Sequence, residues 1–219
     1  MMSFHGHTPR AAVIVAHPDD ESLWCGGLIL ARRDWDWFVL TLCRRSDQDR
    51  ALRFEGVLRY LGAKGAMADL DDGPDQHPLD HQLVRQTVLE QLPLREYDLV
   101  VTHGPEGEYT RHLRHEECSR AVTSLWIDGQ LETREMKLFA YDDQKGKALP
   151  RVRTDAHEQI TLDTDTFARK YHIMTNLYGF AHESWEARAT NTSEGFYRAH
   201  TPSDLLDLRL ARSAPETNK

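Results

Sequence analysis

Two short stretches carry most of the residues that could do chemistry. The first, HPDDE at 17–21, directly follows the apolar run AAVIVA at 11–16; the second, HGPEGEYTRHLRH, runs from His103 to His115. His17 and Asp20 lie three residues apart, so a turn or a first helical turn can aim both at one point. An imidazole nitrogen and a carboxylate oxygen suit zinc or a similar divalent ion. Pro18 fixes the backbone between them and suits a helix start. Asp19 is then left for a different task. In the second stretch His112 and His115 share a face if a helix begins there. Two histidines and one aspartate leave a coordination position for water, the composition of catalytic rather than structural zinc sites. Taken singly, each stretch has a plainer reading: Asp19 and Asp20 as helix caps, the histidine pair as solvated surface residues.

What joins them is the set of elements that must position them. Residues 11–16, 37–43, about 66–70, 97–103 and 137–141 read as strands, with a weaker one at 158–162. Helical patterns fall between them at about 23–33, 47–61, 79–93 and 114–126, and again over 165–178. Gly62 closes the second helix and Pro93 stops the third. Continuous apolar strands alternating with helices imply βαβ units and a mostly parallel sheet covered on both faces. The expected fold is α/β: a doubly wound, Rossmann-like layer, in which ligands bind beyond the carboxyl ends of the strands. Both polar stretches fall at that edge. With no internal repeat or low-complexity linker, the reading is a single domain over 1–219, with a disordered tail at 1–9 and a flexible end at 205–219.

The chain has 219 residues, 27 basic and 35 acidic side chains and a net charge of −8. This balance offers no broad basic surface, so nucleic acid is excluded as a partner. No apolar run nears the roughly 20 residues needed to cross a bilayer, and MMSFHGHTPR lacks the apolar core of a signal peptide. Cys25, Cys43 and Cys118 are odd in number and widely spaced, which points to reduced thiols and a cytoplasmic setting. A homo-oligomer is left open.

AHPDDE directly after an apolar strand, followed some ninety residues on by TH…GEY..H..H, resembles the PIG-L/LmbE family of zinc-dependent N-deacetylases. LDDG at 70–73 is similar to the family's leucine–aspartate–glycine turn, and SEGF at 193–196 to a C-terminal acidic–aromatic element. The resemblance implies a Rossmann-like fold and removal of N-acetyl groups from glucosamine-containing sugars or conjugates. It makes His17, Asp20 and His115 the metal ligands and Asp19 the general base. His112 becomes the acid or oxyanion stabiliser, and Arg50 a substrate contact; Arg111 and Tyr109 stand where further substrate contacts fall. Departures from the pattern concern the substrate side. Arg111 and Arg114 precede the two histidines, Thr110 stands where some members have tyrosine, and CRRSDQDR replaces a glycine-containing loop.

The chemistry expected is amide hydrolysis. Zinc, or another divalent ion, lowers the pKa of its water toward about 7, Asp19 takes the proton, and His112, if protonated, supports the oxyanion. Arg44, Arg45, Arg50, Arg53 and Arg111 are either a cationic rim for an anionic conjugate or solvated charges. Among the tryptophans only Trp24 is placed near the site; Trp185 is assigned with the rest to core or interface. Two rival functions share these residues: a metal phosphoesterase, and a sugar- or nucleotide-binding protein without catalysis. A dinucleotide-dependent oxidoreductase is excluded because no GxGxxG follows the first strand.

Overall fold

The structure is a computed structural model that describes residues 7–109 and 112–213. β1 (Arg10–Val15) leads into α1 (Asp20–Ala31), β2 (Asp36–Cys43), α2 (Gln48–Leu61), β3 (Lys64–Leu70), α3 (His81–Gln91), β4 (Glu96–Thr102), α4 (Leu113–Ile127) and β5 (Glu132–Phe139). A small hairpin of β6 (Tyr141–Asp142) and β7 (Arg151–Val152) follows. Then come β8 (Glu158–Thr161), α5 (Thr164–His172), a π-helical turn (Ile173–Leu177), α6 (Trp185–Ala189), β9 (Ser193–Ala199) and α7 (Pro202–Ser213).

Seven strands form one sheet in the order β3-β2-β1-β4-β5-β9-β8. The first five are parallel; at one edge β9 pairs antiparallel with β5, and β8 antiparallel with β9. The expected α/β, doubly wound, mostly parallel sheet is therefore the observed one. β1 shows why it forms. Ala11, Val13 and Val15 face one apolar layer, with α1, α2 and the π-helical turn; Ala12 and Ile14 face the other, with α3 and α4. Alternate residues of a strand point to opposite faces, so a strand covered twice must be apolar throughout. Burying each Val, Ile or Leu contributes about 1.5–3 kcal/mol, which makes this stack a rigid base for the loops above it.

Caps fix the helix starts. The carboxylates of Asp47 and Asp80 accept the amides of Arg50 and Leu83, satisfying donors that a first turn leaves free. Gly62, at φ 72°, ends α2 in the left-handed conformation expected there.

The C-terminal third differs most from expectation. The helix predicted over 165–178 is α5 followed by the π-helical turn, and SEGF lies in β9, an antiparallel strand that hydropathy did not reveal. Part of the stretch read as a flexible end is α7, whose Leu205 is buried in the α4-side core; residues 214–219 lie outside the described residues. Of the expected N-terminal tail, residues 1–6 also lie outside them, while His7 Nε2 stands 3.3 Å from Asp98 Oδ2. Cys25, Cys43 and Cys118 are buried free thiols, as read. Among the described residues no helix is long and apolar enough to cross a membrane.

α1 carries a break at Cys25 (φ −141°, ψ 19°) that frees backbone groups in a buried helix. Glu194, from β9, takes up two of them: its carboxylate accepts Gly27 N at 2.7 Å and Leu28 N at 2.8 Å. Lys170 Nζ, from α5, stands 2.6 Å from the same carboxylate, and both side chains are fully buried. Tyr141 Oη donates to Trp24 O at 2.8 Å. These contacts satisfy the Gly27 and Leu28 amides and the Trp24 carbonyl at the bend, and the C-terminal elements tie down the segment that carries HPDDE.

Candidate metal centre and cleft

β1 and β4 are neighbours at the centre of the sheet, where strand order reverses. Such switch points are where doubly wound sheets bind ligands. The chain leaves β1 into His17–Asp20 and leaves β4 into His103–His115, so the two stretches meet there.

Three donors converge. His17 Nδ1 lies 3.2 Å from Asp20 Oδ2, His115 Nε2 lies 3.3 Å from His17 Nδ1, and His115 Nε2 lies 3.4 Å from Asp20 Oδ2. Zinc bound by N and O at about 2.0–2.1 Å in a tetrahedron sets its ligands on the order of 3.3–3.4 Å apart. The triangle fits a divalent cation of that size. Its orientation is fixed by what surrounds it. Trp24 Nε1 donates to Asp20 Oδ1 at 3.0 Å, which leaves Oδ2 for the triangle.

Glu108 fixes His115. Its Oε2 lies 2.6 Å from His115 Nδ1 and 2.9 Å from His103 Nδ1, and its Oε1 accepts Gly104 N at 2.8 Å. The His115 proton therefore sits on Nδ1, and the Nε2 lone pair faces His17 and Asp20, the tautomer a metal ligand needs. Burial lowers the His115 pKa, which keeps that lone pair available. His103 packs on the His115 ring at 3.9 Å and accepts Ala16 N at its Nε2, so its own proton faces Glu108. Burial pushes Glu108 up, but His103 and His115 outweigh it and hold it at about 2.

Asp72 holds the other side of His17. Its Oδ1 lies 3.3 Å from His17 Nε2, while its Oδ2 pairs with Arg44 at 2.6 Å. Burial alone would lower His17; hydrogen bonds and charge from Asp20 and Asp72 reverse this and raise it to about 10. The field at this point favours positive charge, as a cation site requires. Arg114 secures the Asp72 loop: it donates to Asp71 O at 2.5 Å and His77 O at 2.7 Å and pairs with Glu117, which accepts Leu79 N.

Asp19 sits beside the triangle with φ 130°, a left-handed backbone unusual for a side chain other than glycine or asparagine. Its amide donates to Glu21 Oε2 at 3.0 Å, and the buried Glu21 carboxylate is held in turn by Ser22 and Tyr178 hydroxyls. Burial, then the Asp20 charge, raises the Asp19 pKa to about 8, against the pull of Arg50. Arg50 Nη1 lies 2.9 Å from Asp19 Oδ2. Arg53 donates to Tyr178 O at 2.6 Å, and Gly179, at φ 76°, leaves that guanidinium the space a Cβ would take.

His112 immediately precedes α4 without a side-chain capping bond, its ring 4.3 Å from His115 and 4.8 Å from His17. Its buried Nδ1 has no hydrogen-bond partner among the described residues. Burial, then the neighbouring His115 and His17, lowers its pKa to about 3. This shift favours a neutral ring, which can offer one N–H or one lone pair.

A cleft of about 310 Å³ opens over these groups, lined also by Arg44, Arg50, Tyr109, Trp185 and Glu186. Tyr109, one of the expected substrate contacts, lies at ring distances of 5.4 Å from His115 and 5.8 Å from His112. Of the arginines that the sequence leaves open between a cationic rim and solvated charges, Arg44, Arg50 and Arg53 pair with Asp72, Asp19 and Asp49. Arg111 lies outside the described residues. His103, Glu108, Asp72 and Glu21 escaped the sequence reading. His103 had a signal, as it directly follows a strand at the binding edge; Asp72 and Glu108 belong to loops whose spacing follows no helical or strand period, and Glu21, in the first turn of α1, reads as an ordinary acidic helix start.

The chain is 28% identical to the 1D-myo-inositol 2-acetamido-2-deoxy-alpha-D-glucopyranoside deacetylase of Corynebacterium diphtheriae, over 83% of this chain and 78% of that protein. Its fold is similar to that of N,N'-diacetylchitobiose deacetylase from Pyrococcus horikoshii (TM-score 0.65, 17% identity, 95% of this chain and 88% of that one). It is also similar to the 4-carboxy-2-hydroxymuconate hydratase GalB of Pseudomonas putida KT2440 (TM-score 0.64, 15% identity, 88% of this chain and 96% of that one). The family model PIG-L, GlcNAc-PI de-N-acetylase, matches residues 12–126, more than half of the chain and both polar stretches, and the protein belongs to that family.

Proposed function

We propose that this chain is a zinc-dependent N-deacetylase that removes the acetyl group from an N-acetylglucosamine-type sugar or conjugate. The observation that carries it is the donor triangle of His17, Asp20 and His115 with the buried carboxylate of Asp19 beside it. The matched relative from C. diphtheriae, a deacetylase of a 2-acetamido-2-deoxyglucoside, supports the substrate class. The fold alone does not choose the reaction, since the hydratase shares it.

His17, Asp20 and His115 would hold the ion. When bound, it supplies an acidified water and polarises the amide carbonyl. Asp19, its pKa raised by burial, is a stronger base than an ordinary carboxylate, and it accepts the proton of the attacking water. Arg50 and Glu21 hold Asp19 in place for this. Neutral His112 offers its N–H to the oxygen of the tetrahedral species, a donor typically worth about 3–4 kcal/mol of barrier. Asp19 then returns its proton to the departing amine, so its carboxylate ends as it began and amine and acetate leave.

A two-metal phosphoesterase needs carboxylates that bridge ions about 3.5–4 Å apart. Asp20 has one oxygen accepting from Trp24 and the other in the triangle, which supports a single-ion site. The deciding experiment loads the purified chain with zinc and assays acetate and phosphate release from N-acetylglucosamine conjugates and phosphorylated sugars. Acetate release supports the reading; phosphate release without acetate overturns it.

A further inference from the structure

Trp185 is 38% exposed although it lines the same cleft as His17, Asp19, Asp20 and His112. A large apolar ring left open to water beside a reaction centre calls for a ligand that covers it. It is held firmly. Ser184 caps α6 by accepting Ala187 N, Thr190 Oγ1 donates to Glu186 O at 2.9 Å, and Ala187 and Ala189 are buried. The indole rests against Tyr109 at 4.7 Å and 60° between ring planes, and Tyr109 in turn rests against His112 and His115. Trp185 thus stands one aromatic ring further from the donor triangle than Tyr109 does.

The rest of the lining is polar: Arg44, Asp47, Arg50, Asp72 and Glu186. An apolar face ringed by donors and acceptors matches a pyranose, which has C–H groups on its faces and hydroxyls at its edge. A purely apolar group would strip water from these ion pairs and offer no hydrogen bonds in return. We infer that Trp185, backed by Tyr109 and flanked by Glu186, is a specificity residue that stacks a second sugar ring joined to the acetamido sugar. The inference rests on the deacetylase reading, and it makes a two-ring conjugate, not a free monosaccharide, the preferred substrate.

The test uses the full zinc-loaded chain with N,N'-diacetylchitobiose as the two-ring probe and N-acetylglucosamine as the one-ring probe. Dissociation constants are measured by calorimetry in Asp19→Asn, alone and combined with Trp185→Ala or Trp185→Phe. The expected result is a preference for the two-ring probe that falls about tenfold in Trp185→Ala, the scale of one aromatic contact, and by less than about threefold in Trp185→Phe. A preference unchanged in Trp185→Ala overturns the inference, as does failure of both probes to bind. Acetate release is followed separately in the unsubstituted chain. If neither sugar releases acetate while the Trp185-dependent preference persists, the deacetylase reading fails and the stacking stands; release from both without that preference has the opposite meaning.

Discussion

Glu108 Oε2 stands 2.6 Å from His115 Nδ1, and this contact decides which nitrogen of His115 faces His17 and Asp20. A carboxylate behind a ligand histidine sets its tautomer and raises its basicity. Glu108→Gln keeps the size but loses the charge and one acceptor. The expected outcome is metal affinity reduced about 10–100-fold, measured by competition with a chelator, with the far-ultraviolet spectrum of the native fold. Unchanged affinity would remove Glu108 from the account.

Asp19 and His115 should separate on substitution. Asparagine matches aspartate in shape and, like it, is among the residues found at positive φ, so Asp19→Asn removes the base with the least change at position 19. It should retain one metal per chain and lose turnover by about 10²–10⁴-fold, whereas His115→Ala should lose the metal. Equal metal loss in both, read by elemental analysis after desalting, would contradict the division of roles.

His112 should not shape the pH profile. Burial and its histidine neighbours hold its pKa at about 3, and a bound cation pushes it the same way. A neutral ring is therefore the expected form across the assay range. His112→Gln should lower kcat by about 10²–10³-fold, as expected for loss of an oxyanion donor, while both limbs of the profile between pH 5 and 9 keep their positions. Disappearance of the basic limb would show that His112 acts as a protonated acid.

The pair of Lys170 and Glu194 supports α1 on its own face of the sheet. Removing one partner of a buried ion pair costs about 3–5 kcal/mol because the other charge is left alone. Lys170→Met should destabilise by that amount in urea unfolding. Glu194→Gln should do so as well, and it also weakens the hold on the Gly27 and Leu28 amides. A change below about 1 kcal/mol in both variants would mean that the break in α1 is held by other contacts.

Asp98 gives a pH-dependent test of the N-terminal end. Burial would raise its pKa, but the Arg10 amide, His7 and Arg134 lower it overall. A depressed folded pKa gives stability that is present above the unfolded value of about 3.9 and is lost as pH falls through the folded value. The gap in melting temperature between Asp98→Asn and the unsubstituted chain should be steady from pH 5 to 8 and shrink below about pH 4. A gap that widens on acidification would reverse the sign.

Legibility followed periodicity. The parallel half of the sheet was readable because strands such as 11–16 are apolar without interruption, and the triangle was readable because its residues flank those strands. β9 was not: Ser193, Glu194 and Arg198 interrupt its apolar pattern, and Glu194 is buried only because Lys170, 24 residues earlier, neutralises it. The protonation of His112 could not be read either, because burial among other imidazoles is a property of the fold. Trp185 looked like core until the turn of α6 turned it into the cleft.

The central claim is one cation held by His17 Nδ1, Asp20 Oδ2 and His115 Nε2. Anomalous diffraction at the zinc edge, from crystals of the zinc-loaded protein, tests it most directly. The account predicts one peak at about 2.0–2.2 Å from all three atoms. A peak instead on the opposite side of His17, among His17, Cys43 and Asp72, whose donor atoms also lie within 4.8 Å of one another, would contradict it.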